Sequence, residues 1–460
     1  MEDFKAISER LETLIELDAW GEINDFVNEL NISDVVEVME EFPDLSNRFF
    51  LQLDFNRAIA VFGALDTNDQ EELLANIPAS KVAQLLNELP PDDRTSLLSE
   101  QSSSVVKELI KVLTPEERKI TLSLLGYPED SIGRLMTPDY IDVEPDWTVE
   151  QVLNYIRDYG KSSETIDVIY VTDENGTFLD DIRIRDFLIV DPANTLVSDL
   201  MDERFITLSV NEDQETTMDV FQKNNRVALP VVDNKNILLG IVTIDDVLIV
   251  QEEEFTEDIQ KIGGTEALDE PYLDSSIPKL YKKRVIWLIV LFIGELLTIL
   301  AMRNYEHEIA KVALLAVFIP LIISSGGNTG SQAATLIIQA MALDDIDLRD
   351  WWRIMRREII SGILLGLTLA ALSFIVFGAW HLSTNSFGDN YLAISMVIGC
   401  SLLGVVLWGT IVGSMLPILL KWVGADPAAS STPFVATLVD VSGLLIYFFF
   451  ALLFLSGGLL

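Results

Sequence analysis

Residues 312–343 read VALLAVFIPLIISSGGNTGSQAATLIIQAMAL and contain no charged side chain. A continuous helix of this length would measure about 48 Å, which exceeds the roughly 30 Å hydrocarbon core of a bilayer. The stretch also contains Pro320 and a run of small and polar residues from Ser324 to Gln332. We expect these residues to break the helical hydrogen-bond ladder, which a membrane tolerates where the freed carbonyls line a polar pathway. The alternative interpretation is a helix-packing face of small residues.

Other stretches of comparable length are also nearly free of charge. Together they predict a polytopic α-helical membrane domain over residues 280–460, with five spans at about 284–303, 310–342, 356–381, 390–420 and 432–457. Core helices of a large soluble protein are the alternative, but they rarely run this long.

Basic residues flank these spans on one side, at 282–284, 349–357 and 421. The positive-inside rule therefore predicts a cytoplasmic N-terminus and a C-terminus outside, in a cell (plasma) membrane. The first residues lack the basic and apolar regions of a secretory signal, so residues 1–279 are expected in the cytoplasm.

The charge of the chain is very unevenly distributed. The sequence has 72 acidic and 31 basic residues and a net charge of −41, and the excess acid lies almost entirely before residue 280. Such a surface would be repelled by nucleic acid, which excludes nucleic acid as a partner. A lone cysteine, Cys400, excludes an internal disulfide. The sequence has no phosphate-binding loop and no nucleophile–base pair, so we do not expect an enzyme.

Asp440 is an acid in the middle of the last predicted span. A carboxylate at this depth costs about 2.5–3.5 kcal/mol, and no basic residue shares the span, so a mobile cation is the expected counter-charge. Carboxylate, amide and carbonyl oxygens suit hard cations, and a hydrated Mg²⁺ would be held best by acids from two subunits. This chemistry leaves Mg²⁺, Ca²⁺, Mn²⁺ and monovalent ions open, as well as a protonated structural Asp440. Glu295 is a second intramembrane acid. The sequence leaves open whether it lies on the same ion pathway as Asp440.

Residues 131–250 contain a duplicated α/β unit, with copies at 131–194 and 195–250. Each copy is predicted to run strand, helix, strand, strand, helix. The copies resemble a tandem pair of CBS domains, and the second matches better through Leu229–Asp233 and Gly240–Asp246. In that family the Thr-x-x-Asp pattern, here Thr243 and Asp246, often binds a nucleotide ribose. The first copy departs from the pattern at Arg183, so ATP binding is left open, with Arg185 and Asp186 as its candidates there.

Residues 1–130 are predicted to form an all-α helical-repeat domain. Leu65, Leu89 and Leu113 recur at a fixed interval, and each precedes proline or acidic residues typical of a helix start. Residues 251–279 form an acidic linker, whose acids at 253, 254, 257 and 258 would share one side of a helix.

The order of these parts resembles the MgtE family of magnesium channels and transporters. The motifs that carry the resemblance are Pro320–Gln332, with Gly326-Gly327-Asn328-Thr329-Gly330, and Pro433–Asp440. The resemblance implies a homodimer in a lipid bilayer, with pore ligands Asp440, Asn328, Gly327 and Ala436. It also implies cytosolic Mg²⁺ sites that close the pore, with the ligands Asp92, Asp93, Asp213, Glu215, Asp246, Glu254, Glu257, Asp258 and Asp426.

The sequence therefore predicts a Mg²⁺ channel or transporter that is closed by cytosolic Mg²⁺. One alternative is a transporter of another divalent cation, such as Co²⁺, Mn²⁺ or Ca²⁺, that is regulated by a nucleotide at the CBS domains. Another is a membrane-anchored Mg²⁺ sensor without transport.

Overall fold

The computed structural model describes residues 4–101, 103–202, 204–268, 272–273, 275–306, 313–343, 345–384 and 390–455. The chain divides into two compact units, Met1–Glu253 and Glu254–Leu460. The boundary falls inside a helix that belongs to both units.

The first unit begins with short helices that share one apolar core. Most bury two or three apolar residues at helical spacing, as α7 does with Val82, Leu85 and Leu86. The helices α6, α8 and α10 begin at Thr67, Pro91 and Pro115, and the prolines occupy the first turn, where no backbone N–H is needed. The bounds are α1 (Phe4–Glu16), α2 (Trp20–Glu29), α3 (Ile32–Glu41), α4 (Pro43–Gln52), α5 (Phe55–Gly63), α6 (Thr67–Asn76), α7 (Ala79–Glu88), α8 (Pro91–Glu100), α9 (Ser103–Val112) and α10 (Pro115–Leu124).

Two copies of one α/β unit follow, each with a three-stranded sheet in the same order. In both, the first strand pairs parallel with the second, which requires a helical crossover, and the second pairs antiparallel with the third. This confirms the predicted CBS pair. The bounds are α11 (Ile132–Leu135), β1 (Asp142–Val143), α12 (Val149–Tyr159), β2 (Val168–Thr172), β3 (Phe178–Arg183), α13 (Ile184–Leu188), β4 (Leu208–Ser209), α14 (Glu215–Asn224), β5 (Ala228–Val232) and β6 (Leu238–Thr243).

The acidic linker is not a helix of its own. The helix α15 runs without interruption from Ile244 to Ile262, so the helix that closes the second α/β copy continues through the acidic segment. No glycine or proline lies between these residues to end it.

The second unit consists of long apolar helices. In the described part of the chain, four are long and apolar enough to cross a membrane: Ile277–Asn304, Leu348–Ser383, Tyr391–Trp422 and Thr432–Leu455. The second predicted span, at about 310–342, corresponds to a further long helix, Ala313–Ala342, which is not among those four. The bounds are α16 (Ile277–Asn304), α17 (Ala313–Ala342), α18 (Trp351–Thr384), α19 (Tyr391–Trp422) and α20 (Thr432–Leu455).

The predicted break in the helical ladder of residues 312–343 is wrong, because α17 is one continuous helix with Pro320 inside it. Its glycines serve close helix packing. A Cβ on Gly330 would lie 3.1 Å from the carbonyl oxygen of Gly409 on α19, and a Cβ on Gly326 would lie 2.9 Å from Val439 Cγ1 on α20. The small residues let α17 approach both α19 and α20 closely. This supports the interpretation of the stretch as a helix-packing face.

Candidate functional site

The helices α17 and α20 bring three of the predicted pore residues together. A Cβ on Gly327 would lie 3.4 Å from Asp440 Oδ1 and 3.5 Å from Ala436 Cβ. Gly327 itself is buried, Asp440 is half-buried, and the next residue of α17, Asn328, is exposed. The backbone of α17 therefore passes directly beside the Asp440 carboxylate.

Glu295 on α16 is the nearest acid to this carboxylate. A Cβ on Gly294 would lie 2.7 Å from Thr437 Cγ2, so α16 packs tightly on α20 one turn before Asp440. The side chain of Glu295 lies close enough to interact with the Asp440 carboxylate. Neither carboxylate forms an ion pair with a basic side chain in the described part of the chain. The two acids form one pair, which the sequence did not reveal.

A second group of acids lies in the first unit, between the start of α8 and the start of α15. Burial, with the charges of Asp246, Asp93 and Glu164, raises the pKa of Asp92 well above its usual range. Burial and the charge of Asp245 raise the pKa of Asp93 to about 6. Asp92 is 7% exposed, and its Oδ1 atom has no hydrogen-bond partner.

Asp246 is held in this group by its own helix turn. The Thr243 hydroxyl donates a 2.6 Å hydrogen bond to Asp246 Oδ2. Burial and the charges of Asp245 and Asp93 raise the pKa of Asp246 to about 7, although the Thr243 hydrogen bond opposes that shift. The predicted ligands Asp92, Asp93 and Asp246 are therefore neighbours.

Three further acids of this group were missed by sequence reasoning: Asp139, Glu164 and Asp245. The Glu164 amide donates to the Asp139 carbonyl at 2.7 Å, which joins the two loops that carry these acids. Burial, then the charges of Asp245, Asp93 and Asp139, raises the pKa of Glu164. We refer to Asp92, Asp93, Asp139, Glu164, Asp245 and Asp246 as the interface acids.

The other predicted cytosolic ligands have different surroundings. Asp213 Oδ1 accepts a 3.0 Å hydrogen bond from the Glu215 amide, an arrangement typical of the start of a helix, here α14. Glu254 lies on α15. Glu257 and Asp426 both bind Lys261, and burial and the charge of Asp426 raise the pKa of the nearby Asp258.

No three acidic, histidine or cysteine side chains of the described residues already form a group that could hold a metal ion. The interface acids lie close to one another. A hard cation fits their chemistry, because it would neutralise carboxylates whose raised pKa values show mutual repulsion and burial, and it would give the orphaned Asp92 oxygen a partner.

The predicted nucleotide residues have two different kinds of surroundings. Thr243 and Asp246 lie among the interface acids, whose charge would repel a phosphate. Arg185 and Asp186 lie on α13 of the first copy, as a 3.5 Å ion pair with Arg185 72% exposed. The first copy therefore offers the more favourable surface for a polyphosphate.

Comparison with known proteins matches every part of the chain described above. Residues 319–450 match the MgtE family model, described as a divalent cation transporter, residues 30–130 match the MgtE intracellular N domain, and residues 132–192 and 197–253 each match the CBS domain. The chain is 41% identical over 335 residues to the magnesium transporter MgtE of Thermus thermophilus, covering 73% of this chain and 72% of that protein. It is 29% identical over 441 residues to the magnesium transporter MgtE of Bacillus subtilis, covering 95% of each.

The first part of the chain resembles a cytosolic domain among the solved structures. That structure is the cytosolic domain of the Mg²⁺ channel MgtE in complex with ATP, with a TM-score of 0.50 and 31% sequence identity, and it covers 53% of this chain and 99% of that chain.

Proposed function

Because the chain belongs to the MgtE family of divalent cation transporters, we propose that it conducts Mg²⁺ across the membrane and is closed by Mg²⁺ on its cytosolic side. It is a multi-pass membrane protein whose relatives are named magnesium transporters, a class that is not enzymatic. We further propose five spans, with α17 as the second, and a cytoplasmic N-terminus in the plasma membrane.

The position of Asp440 against Gly327 carries the pore assignment. A carboxylate within a spanning helix needs a counter-charge, and the described residues offer it no basic partner. The backbone of α17 comes close enough to help enclose an ion held at that carboxylate. Gly327, Ala436 and Asn328 would complete the lining beside it.

One carboxylate per chain is weak compensation for a hydrated divalent cation. A homodimer would place two Asp440 side chains around a two-fold axis, and the ion could keep its tightly held waters between them. Asp440 is only half-buried within one chain, as a residue lining such a shared pore would be.

The interface acids are the basis for proposing that cytosolic Mg²⁺ closes the pore. They come from α8 of the helical domain and from the CBS pair, and their negative charges lie close together. Mg²⁺ bound there would favour a compact first unit, and α15 is the covalent link from that unit to the apolar helices. The ligands would be Asp92, Asp93 and Asp246, and the acids at 213, 215, 254, 257, 258 and 426 stay predictions.

A nucleotide is a second candidate ligand of the cytosolic unit. The related cytosolic domain binds ATP, and Arg185 and Asp186 supply an exposed basic and acidic pair suited to phosphate and ribose. ATP would tune the gate rather than drive transport.

The deciding experiment is Mg²⁺ flux into proteoliposomes, with Mg²⁺ on the cytosolic side stepped from micromolar to millimolar. Wild type is compared with Asp440→Ala and with Glu358→Gln, an acid on α18 beside Arg357. We expect flux that requires Asp440, tolerates Glu358→Gln and falls as cytosolic Mg²⁺ rises. Unchanged flux in Asp440→Ala would remove that residue from the pathway. Equal flux of Co²⁺, Mn²⁺ or Ca²⁺ in competition would favour a less selective divalent transporter.

A further inference from the structure

The end of α15 is joined to the start of α20 by a basic side chain. Lys261 Nζ donates a 2.7 Å hydrogen bond to Asp426 Oδ2, and it lies 2.5 Å from Glu257 Oε1 one turn earlier on α15. Both carboxylates are about one-third exposed, as is Lys261 itself. The ammonium group therefore bridges two carboxylates from different elements.

Each oxygen of the Asp426 carboxylate has a partner in the protein. Its Oδ1 atom accepts a 2.8 Å hydrogen bond from the Ala428 amide, which fixes the turn that leads into α20. Its other oxygen binds Lys261. A cation that bound Asp426 would compete with these two contacts.

Neighbouring contacts fix the same junction. The Thr432 hydroxyl donates a 3.2 Å hydrogen bond to the Ile262 carbonyl, so the last carbonyl of α15 meets the first residue of α20. Gly264 follows with a φ of +76°, and a Cβ there would lie 2.7 Å from Trp287 Nε1 on α16. Trp287 Nε1 in turn donates a 3.0 Å hydrogen bond to Ser431 Oγ. Lys261 therefore supplies the charged contact in a tightly packed junction between α15, α16 and α20.

The electrostatics of Lys261 favour this role. Lys261 Nζ lies between the Glu257 and Asp426 carboxylates, and two negative charges at this distance stabilise the ammonium form. The lysine therefore stays charged at physiological pH. Without the lysine, Glu257 and Asp426 would face each other with no positive charge between them and would repel one another.

We propose that Lys261 is the built-in counter-ion of this junction and fastens the end of α15 to the start of α20 without a divalent cation. Glu257 and Asp426 become a Mg²⁺ site only when the ammonium is removed. This inference rests on the proposed closure by cytosolic Mg²⁺ and adds detail to it. The end of α15 stays attached to the start of α20 with or without Mg²⁺, and the interface acids are the groups that bind regulatory Mg²⁺.

The test is hydrogen–deuterium exchange of residues 259–266 in the full-length protein in lipid nanodiscs, with EDTA or with millimolar Mg²⁺. We expect wild type to be protected equally in both. In Lys261→Gln, exchange in EDTA should be about tenfold faster, because a hydrogen bond between charged groups is lost, and Mg²⁺ should restore protection. Lys261→Arg should behave as wild type, as should Lys282→Gln, an exposed lysine on α16.

Three results would overturn the proposal: wild-type protection that depends on Mg²⁺, wild-type protection of Lys261→Gln in EDTA, or no recovery of Lys261→Gln with Mg²⁺. Asp426→Asn should lose protection in both conditions, since it removes the carboxylate charge that either cation needs. Exchange of α7 reports whether each variant is folded. The exchange pattern does not depend on transport, so absent flux in wild type would count against the proposed function and not against Lys261.

Discussion

The Asp440 carboxylate lies against the backbone of Gly327, so closely that a methyl group at residue 327 would stand 3.4 Å from Asp440 Oδ1. That distance is ordinary van der Waals contact, so the fold should accept alanine there. The methyl group would nevertheless occupy space beside the carboxylate that an ion and its water need.

Gly327→Ala is therefore expected to lower Mg²⁺ flux by about tenfold, which corresponds to roughly 1.4 kcal/mol, while leaving thermal stability close to wild type. The measurement is flux per folded protein in proteoliposomes. Gly330→Ala is the comparison, because its Cβ would press on the Gly409 carbonyl and should destabilise the helix packing instead. Wild-type flux in Gly327→Ala would mean that no ion passes this contact.

Glu295→Gln should raise the Mg²⁺ concentration needed for half-maximal flux several-fold, because the paired carboxylates contribute jointly to attraction of the cation. Glu295→Asp should retain part of the effect, since it keeps the charge but shortens the reach to Asp440. Glu358→Gln serves as the matched control. If Glu295→Gln and Glu358→Gln gave the same concentration dependence as wild type, Glu295 would lie outside the ion path.

The sequence predicted the architecture well and the local contacts poorly, for identifiable reasons. The strands of the CBS pair follow from Val- and Ile-rich runs, and long charge-free stretches reveal membrane helices. Pro320 misled the prediction of α17 because local propensity ignores the close packing that keeps the helix intact.

The missed residues share a cause. Asp139 and Glu164 lie on loops, and their approach to α8 is a tertiary event that no spacing in the sequence records. The spacing of the acids in the linker gives no indication that Lys261 lies between two of the predicted acidic ligands. The resemblance to CBS domains makes both Arg185 and Thr243 candidates for nucleotide binding, although the two residues have different surroundings in the two copies.

Asp92→Asn should stabilise the Mg²⁺-free protein at pH 8 by about 1–3 kcal/mol, because it removes a buried charge whose Oδ1 has no hydrogen-bond partner. It should also reduce the stabilisation that added Mg²⁺ gives to wild type, since a bound ligand stabilises only the state that binds it. Thermal unfolding of the full-length protein with EDTA and with Mg²⁺ measures both effects. Asp146→Asn, which changes an exposed acid of the same unit, should have neither effect. A destabilised Asp92→Asn in EDTA would show that the carboxylate is already compensated.

The interface acids also predict a pH dependence. Asp93 and Asp246 have pKa values raised to about 6 and about 7, so the folded state binds their protons more tightly than the unfolded state. Their contribution to stability is complete below about pH 4 and is lost as the pH rises through 6 to 7. In EDTA, the melting temperature should therefore fall between pH 5 and pH 8 more steeply in wild type than in Asp246→Asn. A slope that Asp246→Asn left unchanged would exclude this carboxylate as its source.

The nucleotide proposal separates the two CBS copies. Arg185→Gln should weaken ATP binding to the full-length protein by about tenfold, because it removes the exposed guanidinium available to a phosphate. Thr243→Ala should leave ATP affinity nearly unchanged, since Thr243 donates to Asp246 within a group of acids that would repel the phosphates. Calorimetric titration with ATP in the presence and absence of Mg²⁺ checks both variants. The reverse pattern, with Thr243→Ala the weaker binder, would place the nucleotide among the interface acids, and it would require Mg²⁺ to neutralise them first.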